Sequence, residues 1–134
     1  MTAEAFDVLQ GVVVRGDGRG RELGFPTANL ALDSGVPPVD GIYAAWVRVG
    51  DGAERCAASV SIGANPTFPG TRERRVEVHL HDAGGDLYGR RLIVQLVAHL
   101  RPTLRFDGVE ALIAQTIEDV ARSAALLAED AARV

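Results

Sequence analysis

Alternation of apolar and polar residues dominates the chain before Arg101 and predicts a series of β-strands. In residues 75–81 every even position is apolar and every odd position is polar, which is typical of a strand with one buried face. The same alternation puts Tyr43, Ala45 and Val47 on one face of another strand. The predicted strands cover residues 8–15, 42–49, 55–62, 75–81 and 91–100, with Gly11 interrupting the first.

The connections between these strands are short and rich in turn-forming residues, as in 33–41 and 50–52. They leave no room for repeated helical crossovers, so an antiparallel arrangement is favoured over a doubly wound sheet. After Pro102 the period changes. Asp107 and Glu110 form a capping-box-like pair, and apolar residues then recur at helical spacing. These apolar positions are Val109, Leu112, Ile113, Ile117, Val120, Ala124 and Leu127. The pattern predicts a small β-barrel, closed or flanked by a helix over about residues 107–130.

The stretch from Gly16 to Asn29 interrupts the strand pattern with four glycines and two arginines. Backbone N–H groups and arginines can wrap an anion, although a hairpin turn would use the same residues. The stretch has neither a Walker A sequence nor dinucleotide-binding glycine spacing. At its end, Thr27 and Asn29 point the same way in an extended chain. They could hold Mg²⁺ through oxygen atoms, or they could satisfy a turn.

Charge and composition narrow the classes of partner. The chain has 134 residues and a net charge of −4, which disfavours nucleic acid as the main ligand. Arginines 15, 19 and 21 then form a local positive cluster suited to a small anion. The single cysteine, Cys56, is compatible with a reducing cytoplasm. No apolar run is long enough for a membrane span, and residues 1–7 do not resemble a secretory signal.

Glu77, His79 and His81 are predicted to share one strand face, which leaves three interpretations open. They could bind zinc or iron as in a cupin-like protein, they could form a solvated face, or Glu77 alone could act as a base toward a hydroxyl. Tyr88 and Phe106 could stack on a planar ligand, with core packing as the simpler role for Phe106.

Several motifs together resemble the riboflavin kinase family, in particular the kinase module of bacterial bifunctional FAD synthetases. They cover nearly the whole chain in the family's order, and the Phe-Pro-Thr-Ala-Asn core is highly specific. The matching stretches are 16–29, Gly41-Ile42-Tyr43-Ala44, 62–68, Glu77-Val78-His79-Leu80, Asp86-Leu87-Tyr88-Gly89, Leu100-Arg101-Pro102 with Phe106, and the helix segment 114–119.

The resemblance implies a six-stranded antiparallel Greek-key barrel with a C-terminal helix, formed by residues 1–134 as a single domain. It implies transfer of the γ-phosphoryl group of ATP to the 5′-hydroxyl of riboflavin, which yields FMN and ADP. Glu77 would be the general base and would also face the flavin, bordered by Arg101 and Phe106. Thr27 and Asn29 would contact Mg²⁺ or another divalent cation. The implied ATP-binding residues are Gly16, Gly18, Arg19, Gly20, Arg21, Gly24, Pro26, Thr27, Asn29, Leu80, Asp82 and Tyr88.

Two departures from the family pattern affect the predicted activity. Thr103 stands where the family usually has a glutamate, so a module that binds flavin without catalysis is the alternative hypothesis. No His-x-Gly-His nucleotidyl motif occurs, so the chain is not expected to make FAD. The resulting expectation is a cytoplasmic, monomeric kinase that binds riboflavin, FMN, ATP and ADP, with neither nucleic acid nor membrane as a partner.

Overall fold

A computed structural model describes residues 6–14, 27–52, 54–64, 74–81, 87–103 and 108–132. These residues form six strands and one helix. The elements are β1 (Val8–Val14), β2 (Ala28–Ser34), β3 (Gly41–Val49), β4 (Cys56–Ala64), β5 (Arg74–Leu80), β6 (Arg91–Arg101) and α1 (Val109–Ala132).

The six strands close into an antiparallel barrel in the order β1-β2-β5-β4-β3-β6. Strands β3, β4 and β5 follow one another as hairpins, and β6 returns to pair with β3, which is a Greek-key arrangement. The predicted fold class is therefore confirmed. The pattern had not located β2, and its last two residues, Asp33 and Ser34, fall in the stretch predicted as a connection.

The barrel interior is filled by the alternating apolar residues that predicted the strands. Tyr43, Ala45 and Val47 of β3 are fully buried, as are Val60 and Ile62 of β4. Full burial of one such valine or isoleucine is worth about 1.5–3 kcal/mol, so this interior supplies most of the driving force for closing the sheet. The polar residues between them therefore lie on the outer face of the barrel.

Gly11 lies opposite a bulge in β2, at a point where the backbone of β2 comes very close. The pairing between β1 and β2 shifts register between Gln10 and Gly11. A Cβ atom at position 11 would lie 2.2 Å from the carbonyl oxygen of Ala31. The strand continues through this glycine because the absent side chain permits the close approach.

Helix α1 covers the outer faces of β3, β4 and β6, but only part of its predicted apolar side is buried. Its buried residues are Asp119, Ser123 and Leu127, whereas Val109 and Ile117 are 49% and 56% exposed. The barrel presents polar partners on this face, so polar helix residues can be buried there with their hydrogen bonds satisfied. Within the described residues, no helix has the length and apolarity needed to cross a membrane.

Candidate active site

A row of polar residues crosses the outer face of the barrel through neighbouring strands. Asn29 of β2 is the direct partner of Glu77 of β5, and Glu77 is in turn the direct partner of Ser61 of β4. Directly paired residues in antiparallel strands have Cα atoms about 4.5–5.5 Å apart and project to the same side. The pairing continues through Ile42 to Arg101. Two strongly predicted site residues, Asn29 and Glu77, are thus immediate neighbours.

The side-chain oxygen of Asn29 is the clearest sign of a ligand site. Oδ1 is buried and has no hydrogen-bond partner among the described residues. An orphaned buried carbonyl oxygen costs about 1–3 kcal/mol, so it calls for an explanation such as an ion or a bound ligand. The exposed Thr27 lies two residues earlier, next to the start of β2. An amide oxygen and a hydroxyl are hard oxygen ligands, so these residues fit Mg²⁺.

Glu77 lies at the centre of the polar row, between Asn29 and Ser61. Its side chain is half-buried, so solvent or a substrate can still reach the carboxylate. The alternation of β5 fixes this orientation, because Val76 and Val78 point into the core on either side. A carboxylate in this position can accept a proton from a hydroxyl brought next to it.

His81 is linked to the helix through the Ser59 hydroxyl. The Nε2 atom of His81 lies 2.8 Å from the Ser59 hydroxyl, and Ser59 donates a hydrogen bond of 3.0 Å to the fully buried Ser123 of α1. Burial lowers the pKa of His79, which favours its neutral form.

No group of three potential His, Cys, Asp or Glu ligands is arranged for a metal within the described part of the chain. The zinc or iron hypothesis for Glu77, His79 and His81 therefore gains no geometric support there. His79 and His81 contact each other edge to face, with ring centroids 5.9 Å apart.

Arg101, predicted to border the flavin, is held by the helix. Its guanidinium donates to both carboxylate oxygens of Asp119, with Nη2 to Oδ2 at 2.7 Å and Nε to Oδ1 at 3.0 Å. Gln115 donates to the same carboxylate at 3.0 Å. The two charged side chains are only 15% and 10% exposed. A paired, planar fork of this kind fixes the relative orientation of β6 and α1.

The predicted nucleotide-binding residues are only partly described. Residues 16, 18, 19, 20, 21, 24, 26 and 82 lie outside the described ranges, as does Phe106 on the flavin side. Tyr88 is 53% exposed, and the neighbouring Gly89 donates its backbone N–H to the carbonyl of Val13 near the end of β1. Leu80 is 7% exposed and packs inside the barrel, so its side chain serves the core.

Thr103, the departure from the family pattern, is an exposed residue just after β6. A Cβ atom at Gly63 would lie 3.5 Å from its hydroxyl and 3.6 Å from the carboxylate of Asp40. Thr103 therefore lies close to Gly63, two residues after Ser61 on β4.

Asp119, Ser59 and Ser123 are contacts to which the sequence analysis gave no role. Their signal is visible in hindsight: residues 112, 116, 119, 123 and 127 recur at helical spacing and include a carboxylate and two hydroxyl side chains. Polar residues on a helix are ordinarily predicted to face solvent, so this side of α1 can be identified as buried only once the polar barrel surface opposite it is known.

Comparison with known proteins gives a consistent result. A sequence model of the family described as "Flavokinase: Riboflavin kinase" matches residues 6–127. The bifunctional riboflavin kinase/FMN adenylyltransferase of Escherichia coli K12 is 43% identical over 111 residues, which cover 83% of this chain and 35% of that protein. Riboflavin kinase of Homo sapiens is 40% identical over 117 residues, which cover 83% of this chain and 74% of that protein.

A solved structure also matches across most of the fold. The crystal structure of riboflavin kinase from Trypanosoma brucei superposes with a TM-score of 0.69 at 27% identity, covering 94% of this chain and 82% of that one. The chain thus spans about a third of the length of the Escherichia coli bifunctional relative and about three-quarters of the human one.

Proposed function

The chain belongs to the riboflavin kinase family, and we propose that it transfers the γ-phosphoryl group of ATP to the 5′-hydroxyl of riboflavin, giving FMN and ADP. The observation that carries this proposal is the direct pairing of Asn29 with Glu77, with the Asn29 oxygen buried and without a hydrogen-bond partner among the described residues. Phosphoryl transfer depends mainly on positioning and charge stabilisation, which this pair is placed to provide.

Thr27 and Asn29 are the residues proposed to hold a divalent cation, with Mg²⁺ as the best match to their oxygen atoms. When bound, the cation would neutralise charge on the phosphates of ATP. The ATP-binding residues proposed in the segment 16–26 connect Val14 to Thr27, and Val14 is itself the direct partner of Asn29 across β1 and β2. Both ends of that segment therefore meet the barrel beside the proposed cation site.

Glu77 is the proposed general base. Its carboxylate accepts the proton of the ribityl 5′-hydroxyl as the hydroxyl oxygen forms a bond to the γ-phosphorus. The bond between that phosphorus and the oxygen bridging to the β-phosphate breaks, and ADP leaves with the electron pair. The proton is later released from Glu77 to solvent, so the carboxylate is regenerated. General-base assistance of this kind typically contributes about 10²–10⁴-fold to the rate.

The flavin is proposed to bind on the other side of Glu77, toward Arg101, Phe106 and the start of α1. The exposed Val109 and Ile117 offer apolar surface on α1, which the Arg101–Asp119 pair joins to the end of β6. In this arrangement the nucleotide and the flavin approach Glu77 from different strands. Residues 1–134 are proposed to act as a single, monomeric, cytoplasmic kinase domain.

The test is incubation of the purified chain with riboflavin, ATP and MgCl₂, followed by chromatographic separation of FMN from riboflavin. Formation of FMN that requires all three components supports the proposal. Riboflavin binding without FMN formation would contradict it and favour the non-catalytic flavin-binding module. Substitution of Thr103 by Glu, the usual family residue, would then show whether that position accounts for the loss.

A further inference from the structure

The contacts of α1 follow the barrel surface in a fixed order. Asp119 contacts Arg101, Ser123 contacts Ser59, and Asp130 accepts a 2.7 Å hydrogen bond from the Trp46 indole. Arg101 belongs to the pairing row of Glu77, whereas Ser59 and Trp46 lie progressively farther from that row along β4 and β3. The helix therefore extends beyond the Glu77 row at its N-terminal end.

Asp119 is the first buried residue along the helix. None of residues 109–118 is fully buried, and the fully buried residues that follow are Ser123 and Leu127. Val109 is ten residues before Asp119, which corresponds to about 15 Å of helix. A tilt of about 10° at Asp119 would move Val109 by about 2–3 Å. The Arg101–Asp119 pair therefore sets the direction of residues 109–118, which extend beyond the Glu77 row.

We propose that Asp119 is a positioning residue for the phosphorylation of riboflavin: by clamping Arg101, it sets the start of α1 at the distance from Glu77 that the flavin requires. This inference rests on the proposed function. Displacements of about 1 Å in a positioned substrate can cost about 10²-fold in rate. The nucleotide side would be affected much less, because Asn29 is on β2 and Thr27 is next to its start, whereas α1 packs mainly on β3, β4 and β6.

The chain offers a matched control for the loss of a carboxylate paired with arginine. Asp33 of β2 also accepts two hydrogen bonds from an arginine, in this case from Nη1 and Nη2 of Arg91 at 3.0 and 2.6 Å. That pair is exposed, with side chains 48% and 44% accessible, and Asp33 lies four residues beyond Asn29 on the same strand. Asp33→Asn therefore repeats the chemical change of Asp119→Asn away from α1.

The experiment compares wild type, Asp119→Asn, Gln115→Ala and Asp33→Asn by steady-state FMN formation and by quenching of riboflavin fluorescence on binding. We expect Asp119→Asn to raise the KM and Kd for riboflavin about tenfold while the KM for ATP stays within about twofold. Gln115→Ala removes one of the hydrogen bonds to Asp119 without exposing a charge. We expect it to raise the KM and Kd for riboflavin about threefold and to leave the KM for ATP unchanged. Asp33→Asn should change none of these constants.

Equal losses for riboflavin and ATP in Asp119→Asn would show a merely structural role and overturn the inference. Unchanged riboflavin constants in a folded Asp119→Asn would do the same. If Asp119→Asn does not fold, an unchanged riboflavin Kd in Gln115→Ala overturns it. A wild-type chain that binds riboflavin but forms no FMN contradicts the proposed function, while the Kd comparison still decides the role of Asp119. A wild-type chain that does not bind riboflavin rejects both.

Discussion

Asn29 and Glu77 are direct partners across β2 and β5, on the outer face of the barrel. The pairing puts an amide oxygen that has no hydrogen-bond partner in the described part of the chain beside a half-buried carboxylate, and the two groups are chemically distinct. The amide can bind a cation but cannot remove a proton, whereas the carboxylate can do so. Substitution of Asn29 should therefore impair cation binding, whereas substitution of Glu77 should impair proton removal.

Glu77→Gln should lower kcat at least about a hundredfold, because the amide cannot accept the ribityl proton. The side chain keeps its size and polarity, so the KM for riboflavin and the thermal midpoint should change little. The measurement is initial rates of FMN formation at saturating riboflavin and ATP. Ser61→Ala, which alters the other direct partner of this position, provides a comparison at the neighbouring strand. A Glu77→Gln enzyme with near-normal turnover would exclude the assigned base.

Asn29→Leu should abolish activity without destabilising the ligand-free protein. The buried Oδ1 atom has no partner among the described residues, so its removal relieves a desolvation cost of about 1–3 kcal/mol. Urea unfolding without ligands should therefore give an equal or higher free energy of unfolding, while Mg²⁺·ATP no longer raises it. Thr27→Val is the companion change: its hydroxyl is exposed, so stability should be unaffected while the Mg²⁺ requirement rises. A large loss of ligand-free stability in Asn29→Leu would mean that the oxygen serves the fold.

The sequence was sufficient for the barrel but not for the packing of the helix. Strict alternation, as in residues 75–81, identifies strands because one face enters a continuous apolar core. Strand β2 escaped because it carries Leu30, Ala31 and Leu32 in a row, which blurs the alternation. The buried side of α1 escaped for another reason. Asp119 and Ser123 are buried only because Arg101 and Ser59 meet them, and such pairs join residues far apart in the chain.

The candidate site divides in the same way. Glu77 was identified because its strand face is fixed by the period of two, and Asn29 because of its motif. Their direct pairing requires the closure of β2 against β5, which no local pattern encodes. The hydrogen bonds by which Asp119 holds Arg101 are also tertiary contacts, so the sequence pattern could not predict them.

Mild acid should destabilise the folded chain partly through His79. Burial lowers the pKa of His79 below the ordinary value of 6.5, so the unfolded chain binds a proton that the folded chain does not. The stability that the folded chain gains from keeping His79 neutral is fully present above pH 6.5 and is lost as the pH falls below that value. His79→Gln should therefore reduce the decrease in unfolding free energy between about pH 7 and pH 5.5, measured by urea titration. An unchanged pH dependence in His79→Gln would contradict the assignment.

Gly11→Ala should be among the most damaging small substitutions in the barrel. The added Cβ atom would lie 2.2 Å from the Ala31 carbonyl oxygen and 2.8 Å from its carbonyl carbon, and both are backbone atoms that cannot rotate away. Either the bulge reorganises or the pairing of β1 with β2 opens, which should cost about 3 kcal/mol or more. Gly108→Ala is the matched control, since nothing lies within 4 Å of its added Cβ atom. Thermal unfolding should therefore show that the unfolding free energies of the two variants differ by well over about 0.5 kcal/mol, which is the change expected at an open position. Because β2 also carries Asn29, Mg²⁺·ATP should raise the unfolding free energy of a folded Gly11→Ala protein less than that of wild type. Equal stability of the two alanine variants would refute the close approach at Gly11.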